Sequence, residues 1–297
     1  MKKREEIKRF NWLKYMKVYF LISAVVIGIG LYSSGTWGIP LGLDFTGGAT
    51  VEYKINDQSQ IDEIKQKLTE SGIEIGQVQT SGQDRIIIKT KSLEADKQSA
   101  TEKIATDLEI ERIQVQNVGP TIGPELIKKT LVAIVVASIA ILLWVTTQFK
   151  KVTFGISAIL AMLHDSLVLI GMFSLLGKLF GAEIDFLFVT ALLTTLSFSV
   201  HDTIVVFDRI REIQKKHGGE LIDVANRAIS ETMRRSIVNS LTIIIMLVSL
   251  VAFGGDTIRW FAVALLIGAI SGTYSSPFVA IPLFIQLNNL QQKIRKK

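Results

Sequence analysis

Six stretches of this 297-residue chain run for most of a bilayer's thickness with almost no charge: Val18–Leu43, Thr130–Phe149, Val152–Gly177, Phe186–Phe207, Ser236–Gly255 and Trp260–Gln292. A helix needs about 20 apolar residues, at ~1.5 Å each, to cross the hydrocarbon of a membrane. Within that layer only helices and closed barrels satisfy their own backbone groups. Packed side by side in a soluble bundle, such helices would need polar faces that these runs lack. The sequence therefore predicts an α-helical polytopic membrane protein with six transmembrane helices, placed at residues 18–36, 128–149, 152–177, 185–207, 236–255 and 258–286. A hydrophobic content of 48% fits that reading.

Orientation follows from the cations, because short cytoplasmic segments are rich in Lys and Arg. Lys2, Lys3, Arg4, Lys8, Arg9, Lys14 and Lys17 precede the first span, Lys150 and Lys151 fill the second-to-third connection, and Lys293, Arg295, Lys296 and Lys297 end the chain. The 208–235 loop adds Arg209, Arg211, Lys215, Lys216, Arg227, Arg234 and Arg235, and the apolar stripe Leu221, Ala225, Ala228, Ile229 and Met233 marks an amphipathic helix within it. Residues 1–17 and 287–297 are thus expected in the cytoplasm. The net charge of +6 is explained by this asymmetry and by membrane lipids with anionic headgroups, so nucleic acid is not an expected partner. No small-x-small cleavage site follows the first apolar run, which reads as a retained anchor. The absence of cysteine excludes disulfides and thiolate metal sites.

Residues 37–127 have the composition of a water-soluble domain and lie on the opposite, extracytoplasmic side. Alternation at Ala49, Val51, Tyr53 and Ile55 predicts a strand, and Ile61, Ile64 and Leu68 predict a helix behind Ser59 as N-cap. Ile73–Gln79 and Arg85–Thr90 flank the turn-like Ser81-Gly82-Gln83-Asp84. Ala100, Ile104 and Leu108 mark a second helix, and Ile113, Val115 and Val118 a last strand. The order β-α-β-β-α-β is that of a small α+β ferredoxin-like domain inserted between helices 1 and 2.

Two glycine-rich joints bracket this domain. Asp44, Phe45, Gly47 and Gly48 belong to Leu41-Gly42-Leu43-Asp44-Phe45-Thr46-Gly47-Gly48, and Gly119, Pro120 and Gly123 belong to Val118-Gly119-Pro120-Thr121-Ile122-Gly123-Pro124-Glu125-Leu126. Each is open to two readings, a plain turn or a functional hinge. Inside the spans stand two carboxyls, Asp165 and Asp202, which cost several kcal/mol unless they face protein or water. Asp165 lies ~20 Å from the inner end of its span and Asp202 only ~8 Å, so the two are not expected to share a proton. Asp165 either fixes helix packing through hydrogen bonds or belongs to a proton relay. Asp202 is the better relay residue, and Arg235 at the start of the next apolar run is the cation placed to reach it. Trp37, Trp260 and Trp144 read as interface anchors, with Trp144 deep enough to be packing instead. Gly268, Ser271, Gly272 and Ser275 suggest close helix contact, and Pro277 with Pro282 a bend.

The two glycine-rich stretches, His164-Asp165 and His201-Asp202-Thr203-Ile204-Val205-Val206-Phe207-Asp208-Arg209-Ile210-Arg211-Glu212 occur in an order that resembles the SecF proteins of the SecD/SecF family, over nearly the whole chain. His201 departs from the small or amide residue frequent there. The resemblance implies an RND-like half transporter in the bacterial cytoplasmic membrane, acting in polypeptide export with a SecD-like subunit, the SecYEG channel and a translocating unfolded polypeptide. It also implicates Asp202 and Arg235 in proton passage. Protons would be the coupling ion and no other cofactor is expected, since the sequence has no phosphate-binding G-x-x-x-x-G-K-[ST] loop. The chain is thus not expected to be an enzyme. A rival is an RND-like exporter subunit for lipids or small molecules. An intramembrane aspartyl protease is disfavoured, because Ser199-Val200-His201 stands where a Gly-x-Gly would precede the second aspartate.

Overall fold

The computed structural model describes residues 10–81, 84–119 and 122–295 and divides the chain into two compact units, one of residues up to Pro40 together with Ala133 onward, the other Leu41–Val132. The cations from Lys2 to Arg9, the turn residues Gly82 and Gln83, the joint residues Pro120 and Thr121, and Lys296 and Lys297 lie outside the described residues. In chain order the elements are α1 (Met16–Trp37), the single turn α2 (Leu43–Thr46), β1 (Gly48–Lys54), α3 (Gln60–Glu70), β2 (Ile75–Ser81), β3 (Arg85–Thr90), α4 (Ala95–Asp107), β4 (Glu111–Val118), α5 (Ile122–Phe149), α6 (Val152–Phe180), α7 (Phe186–His217), α8 (Leu221–Phe253), α9 (Asp256–Ser275) and α10 (Ile281–Arg295). Among the described residues, six helices are long and apolar enough to cross a membrane.

The smaller unit is an antiparallel four-stranded sheet in the order β2-β3-β1-β4, the ferredoxin-like arrangement expected from the element order. Alternation along β1 buries Ala49, Val51 and Tyr53 against Ile64 and Leu68 of α3 and Ile104 of α4. Tyr53 donates its hydroxyl to the Thr101 carbonyl at 3.1 Å, and burial pushes its phenol pKa above the usual tyrosine value. One local expectation needs correction. Ser59 precedes α3 but its side chain caps nothing; Asp57 Oδ1 accepts from the Ser59 amide at 3.3 Å, and Gln60 Oε1 reaches back to the Asn56 amide at 2.8 Å. Ile113 is 38% exposed because the β1–β4 register shifts between Glu52 and Tyr53, so that Tyr53 faces Arg112. Arg112 then donates to Thr101 Oγ1 at 2.7 Å.

Gly48 has φ +120°, and a Cβ there would stand 2.6 Å from the Thr90 carbonyl oxygen of the neighbouring strand. Both the torsion and the close approach demand glycine. Gly48→Ala is expected to destabilise the small unit by about 2–4 kcal/mol. The effect would be read as faster amide exchange across β1, β3 and β4 in the full-length protein.

In the larger unit α6, α7 and the last span are the most buried, while the apolar windows of α1, α5 and α8 are largely open, as suits lipid-facing helices. α1 lies on α6 with backbone touching backbone: a Cβ on Gly30 would stand 2.8 Å from Gly171 Cα, and Ser33 and Ser174 share a hydrogen bond of 2.8 Å. Phe149, Phe154, Phe207 and Phe284 close one end of the core, with ring centroids as near as 4.2 Å. Trp144 is 56% exposed, so it faces outward and does not pack.

Helix ends differ from the sequence reading where no breaker intervenes. α7 continues past the predicted span end to His217, and α8 begins at Leu221, so the amphipathic stripe is the first three turns of α8 and not a separate helix. Gly218 and Gly219, both with positive φ, supply the turn between them. Pro277 lies within a π-helical turn, Ser276–Ala280, and Pro282 in the first turn of α10, into which the last span carries on. Several cations of this region are paired: Arg209 with Glu231 and Glu212, Arg227 with Glu231 at 2.8 Å, and Arg211 with Asp208 at 2.7 Å.

Candidate functional site

Asp165 is 3% exposed and sits near the middle of α6, where an ionisable carboxyl must be answered by polar partners. It has four. Ser271 donates to Oδ1 at 2.5 Å, Ser199 to Oδ2 at 2.5 Å and Ser275 to Oδ2 at 2.7 Å, while His164 Nδ1 lies 3.0 Å from Oδ1. Ser271 and Ser275 are four residues apart and so present their hydroxyls from one face of α9. Gly268 and Gly272 on the same helix let it approach α7: a Cβ on Gly272 would stand 3.2 Å from Ser199, and one on Gly268 would overlap Thr195. The small residues singled out in the sequence therefore do two jobs at once, bringing the helices close and lining the carboxyl.

A serine hydroxyl can donate or accept, so this shell can serve Asp165 with or without a proton. The His164 ring extends the network to α1, with Nε2 3.0 Å from Ser23 Oγ. Four helices, α1, α6, α7 and α9, thus meet at one polar cluster inside an apolar bundle.

Asp202, one turn beyond Ser199 on α7, is half-buried and belongs to a different constellation. It accepts from Ser236 of α8 at 2.9 Å. A cavity of about 30 Å³, lined by His201, Asp202, Asn239, Ser240 and Thr273 among others, opens beside it, which is room for one or two waters. Helices α7 and α8 do neighbour each other, yet Arg235 makes no ion pair with Asp202 within 4 Å; the residue that reaches the carboxylate is the next one, Ser236. Among the described residues Asp165 and Asp202 share no hydrogen-bond partner. Between them run Thr203 and Ser276, 3.0 Å apart, with Ser276 also donating to the Ser199 carbonyl at 3.2 Å.

The joint residues gather within the smaller unit. Asp44 and Phe45 form the turn α2, Phe45 is buried, and Gly47 (φ +68°) and Gly48 lead into β1. Gly123, on the other side of the domain in sequence, packs so tightly against the Phe45 carbonyl that a Cβ would overlap it. The two glycine-rich stretches therefore meet, which neither stretch alone could indicate. Gly119 follows directly on β4, and Pro120 lies outside the described residues.

Sequence reading missed Ser23 and Ser236 as partners of titratable groups. The available signal was faint: single serines in apolar spans, each free to satisfy itself on its own helix.

The profile of the C-terminal part of SecD/SecF protein-export membrane proteins matches residues 97–290, and that of the SecD/SecF GG motif matches residues 32–58. This chain is a member of the SecD/SecF family. Within the family, the protein translocase subunit SecF of Thermobaculum terrenum is 39% identical over 296 residues, covering 93% of both chains, and that of Sebaldella termitidis is 37% identical over 292 residues, covering 94% of this chain and 93% of its own. The crystal structure of SecDF from Thermus thermophilus, described as a translocon-associated membrane protein, superimposes with a TM-score of 0.82 at 30% identity over 96% of this chain. SecDF in its super-membrane-facing form gives 0.68. The chain spans about two fifths of the length of these SecDF structures, 39% and 40%. This SecD/SecF family member carries both glycine-rich joints and both intramembrane carboxyls inside or beside the matched segments.

Proposed function

We propose that this chain is a SecF-type accessory subunit of the protein translocase that works with a SecD-like subunit and draws on the proton gradient to promote late steps of polypeptide export. The reading is carried by one observation: on a chain matched to SecF subunits over 93% of its length, a carboxylate, Asp202, stands within a span beside a cavity of water size. A proton entering that cavity neutralises Asp202, relaxes its demand on Ser236, and alters the seam between α7 and α8. The role needs no bond-making chemistry, so the chain is a transport component and not an enzyme. Asp165 is a second relay member, and Arg235 supplies a positive charge at the inner end of the apolar part of α8. The glycine joints at Gly47, Gly48 and Gly123 pass the change to the extracytoplasmic domain. Both termini face the cytoplasm and the protein resides in the bacterial cytoplasmic membrane. The fold similarity to SecDF over 39% of that chain supports a SecD-like complement supplying the remaining helices.

Affinity capture of the full-length chain from membranes tests the assignment. Recovery of a SecD-like chain and the SecYEG channel is the expected result, and recovery with an efflux adaptor in their place would favour the RND-like exporter of lipids or small molecules.

A further inference from the structure

The His164–Asp165 cluster holds a titratable ring that the helix packing does not require. Backbone contact at Gly30 and Gly171 and the Ser33–Ser174 bond already join α1 to α6. His164 nevertheless lies 8% exposed between the carboxylate and α1, with one ring nitrogen 3.0 Å from Asp165 Oδ1 and the other 3.0 Å from Ser23 Oγ. Ser23 in turn faces the half-buried Tyr274 hydroxyl, which donates to the Tyr19 carbonyl at 2.8 Å and so has a lone pair free to accept. The result is a line of exchangeable groups, Ser23, His164 and Asp165, leading from α1 to the buried carboxyl, with the Tyr274 hydroxyl beside its outer end.

We propose that His164 is the proton carrier for Asp165, loading and unloading it from the Ser23 side of α1. The inference rests on the proton-coupled reading above and adds the route. In the starting state Asp165 is ionised and neutral His164 has its proton on Nδ1. A proton delivered through the Ser23 hydroxyl binds Nε2, and the Nδ1 proton passes to Asp165 Oδ1. The ring ends neutral with its proton on Nε2, now donating to Ser23; one proton has entered and one carboxylate has been neutralised. Reversal returns both groups to the start. The hydrogen-bond partners of the pair among the described residues are all uncharged: α1 presents Ser23, α7 presents Ser199, and α9 presents Ser271 and Ser275. Among the described residues no Lys or Arg forms an ion pair with either member. Asp202, the carboxyl within the apolar part of α7, is held separately by Ser236.

The test is gradient-dependent export against pH, in vesicles carrying the full chain with its partner subunits, for the wild type, His164→Asn, Ser23→Ala and Asp165→Asn. An asparagine amide nitrogen can replace Nδ1 as donor to Asp165 but cannot carry a proton. His164→Asn is therefore expected to accumulate normally, to export roughly tenfold or more slowly, and to lose the limb of the pH profile that the imidazole contributes. Ser23→Ala should slow export with that limb retained, since the imidazole is still present. Wild-type rate and profile in His164→Asn, beside an inactive Asp165→Asn, would overturn the carrier role and leave the proton-coupled reading standing. Full export by Asp165→Asn would overturn both the carrier role and the place of Asp165 in that reading. Should His164→Asn fail to accumulate, Ser23→Ala decides, and a wild-type rate there rejects the route.

Discussion

Asp202→Asn is expected to abolish the gradient-dependent part of export while the chain stays at its normal level in the membrane. Asparagine has the shape of aspartate, and its Oδ1 can still accept from Ser236, so the α7–α8 contact survives. What disappears is the ability to bind and release a proton beside the cavity at His201 and Thr273. A proton crossing 100 mV releases ~2.3 kcal/mol, which corresponds to roughly 50-fold in an equilibrium that it drives. Loss of that proton should collapse the difference in export rate between energised vesicles and vesicles treated with a protonophore. Residual export driven by other means should be equal in wild type and variant once the gradient is dissipated. Arg234→Gln is the matching control, because Arg234 lines a separate groove beside Trp12 and Ile237 and should leave the gradient effect intact. A variant that accumulates normally and still responds fully to the gradient would remove Asp202 from the mechanism.

Much of this architecture could be read from the residues, and the reasons are physical. The bilayer imposes a minimum length and a ban on unpaired charge, so six spans stand out without any knowledge of how they pack. The small domain was equally legible, because strand alternation at Ala49, Val51 and Tyr53 and helical spacing at Ile64 and Leu68 each arise from burial of one face. Long-range geometry was not. Ile113 fits an inward position by parity alone, and only the bulge opposite Tyr53 turns it out. Arg235 is the cation at the start of the next apolar run, yet a hydroxyl one residue further on makes the contact. The Asp165 shell draws one serine from α7 and two from α9, and nothing in a local window distinguishes Ser199 from a serine bonded to its own backbone. Helix ends failed for a simpler reason: hydropathy marks where the apolar layer stops, whereas a helix such as α7 continues until Gly218 breaks it.

Gly171→Val should produce the largest purely structural effect. A Cβ on Gly171 would stand 2.5 Å from Gly30 Cα, where ordinary contacts begin at 3.4 Å, so α1 and α6 must part by about 1 Å. Backbone atoms cannot rotate aside as a side chain can, and the separation must be taken up by a whole helix. Two polar contacts lie along the same crossing, Ser33–Ser174 at 2.8 Å and His164–Ser23 at 3.0 Å, and both lengthen when the helices move. The combined cost is expected to be about 3–5 kcal/mol, from overpacking plus two weakened buried hydrogen bonds. It should appear as a markedly lower unfolding midpoint in detergent or nanodiscs. Gly28→Ala, on α1 beside Gly30 but with nothing within 4 Å, should be neutral or slightly stabilising, since alanine is the better helix former. Equal tolerance of both substitutions would show that the α1–α6 crossing is not set by backbone contact, and would leave the His164–Ser23 alignment without the support that this crossing provides.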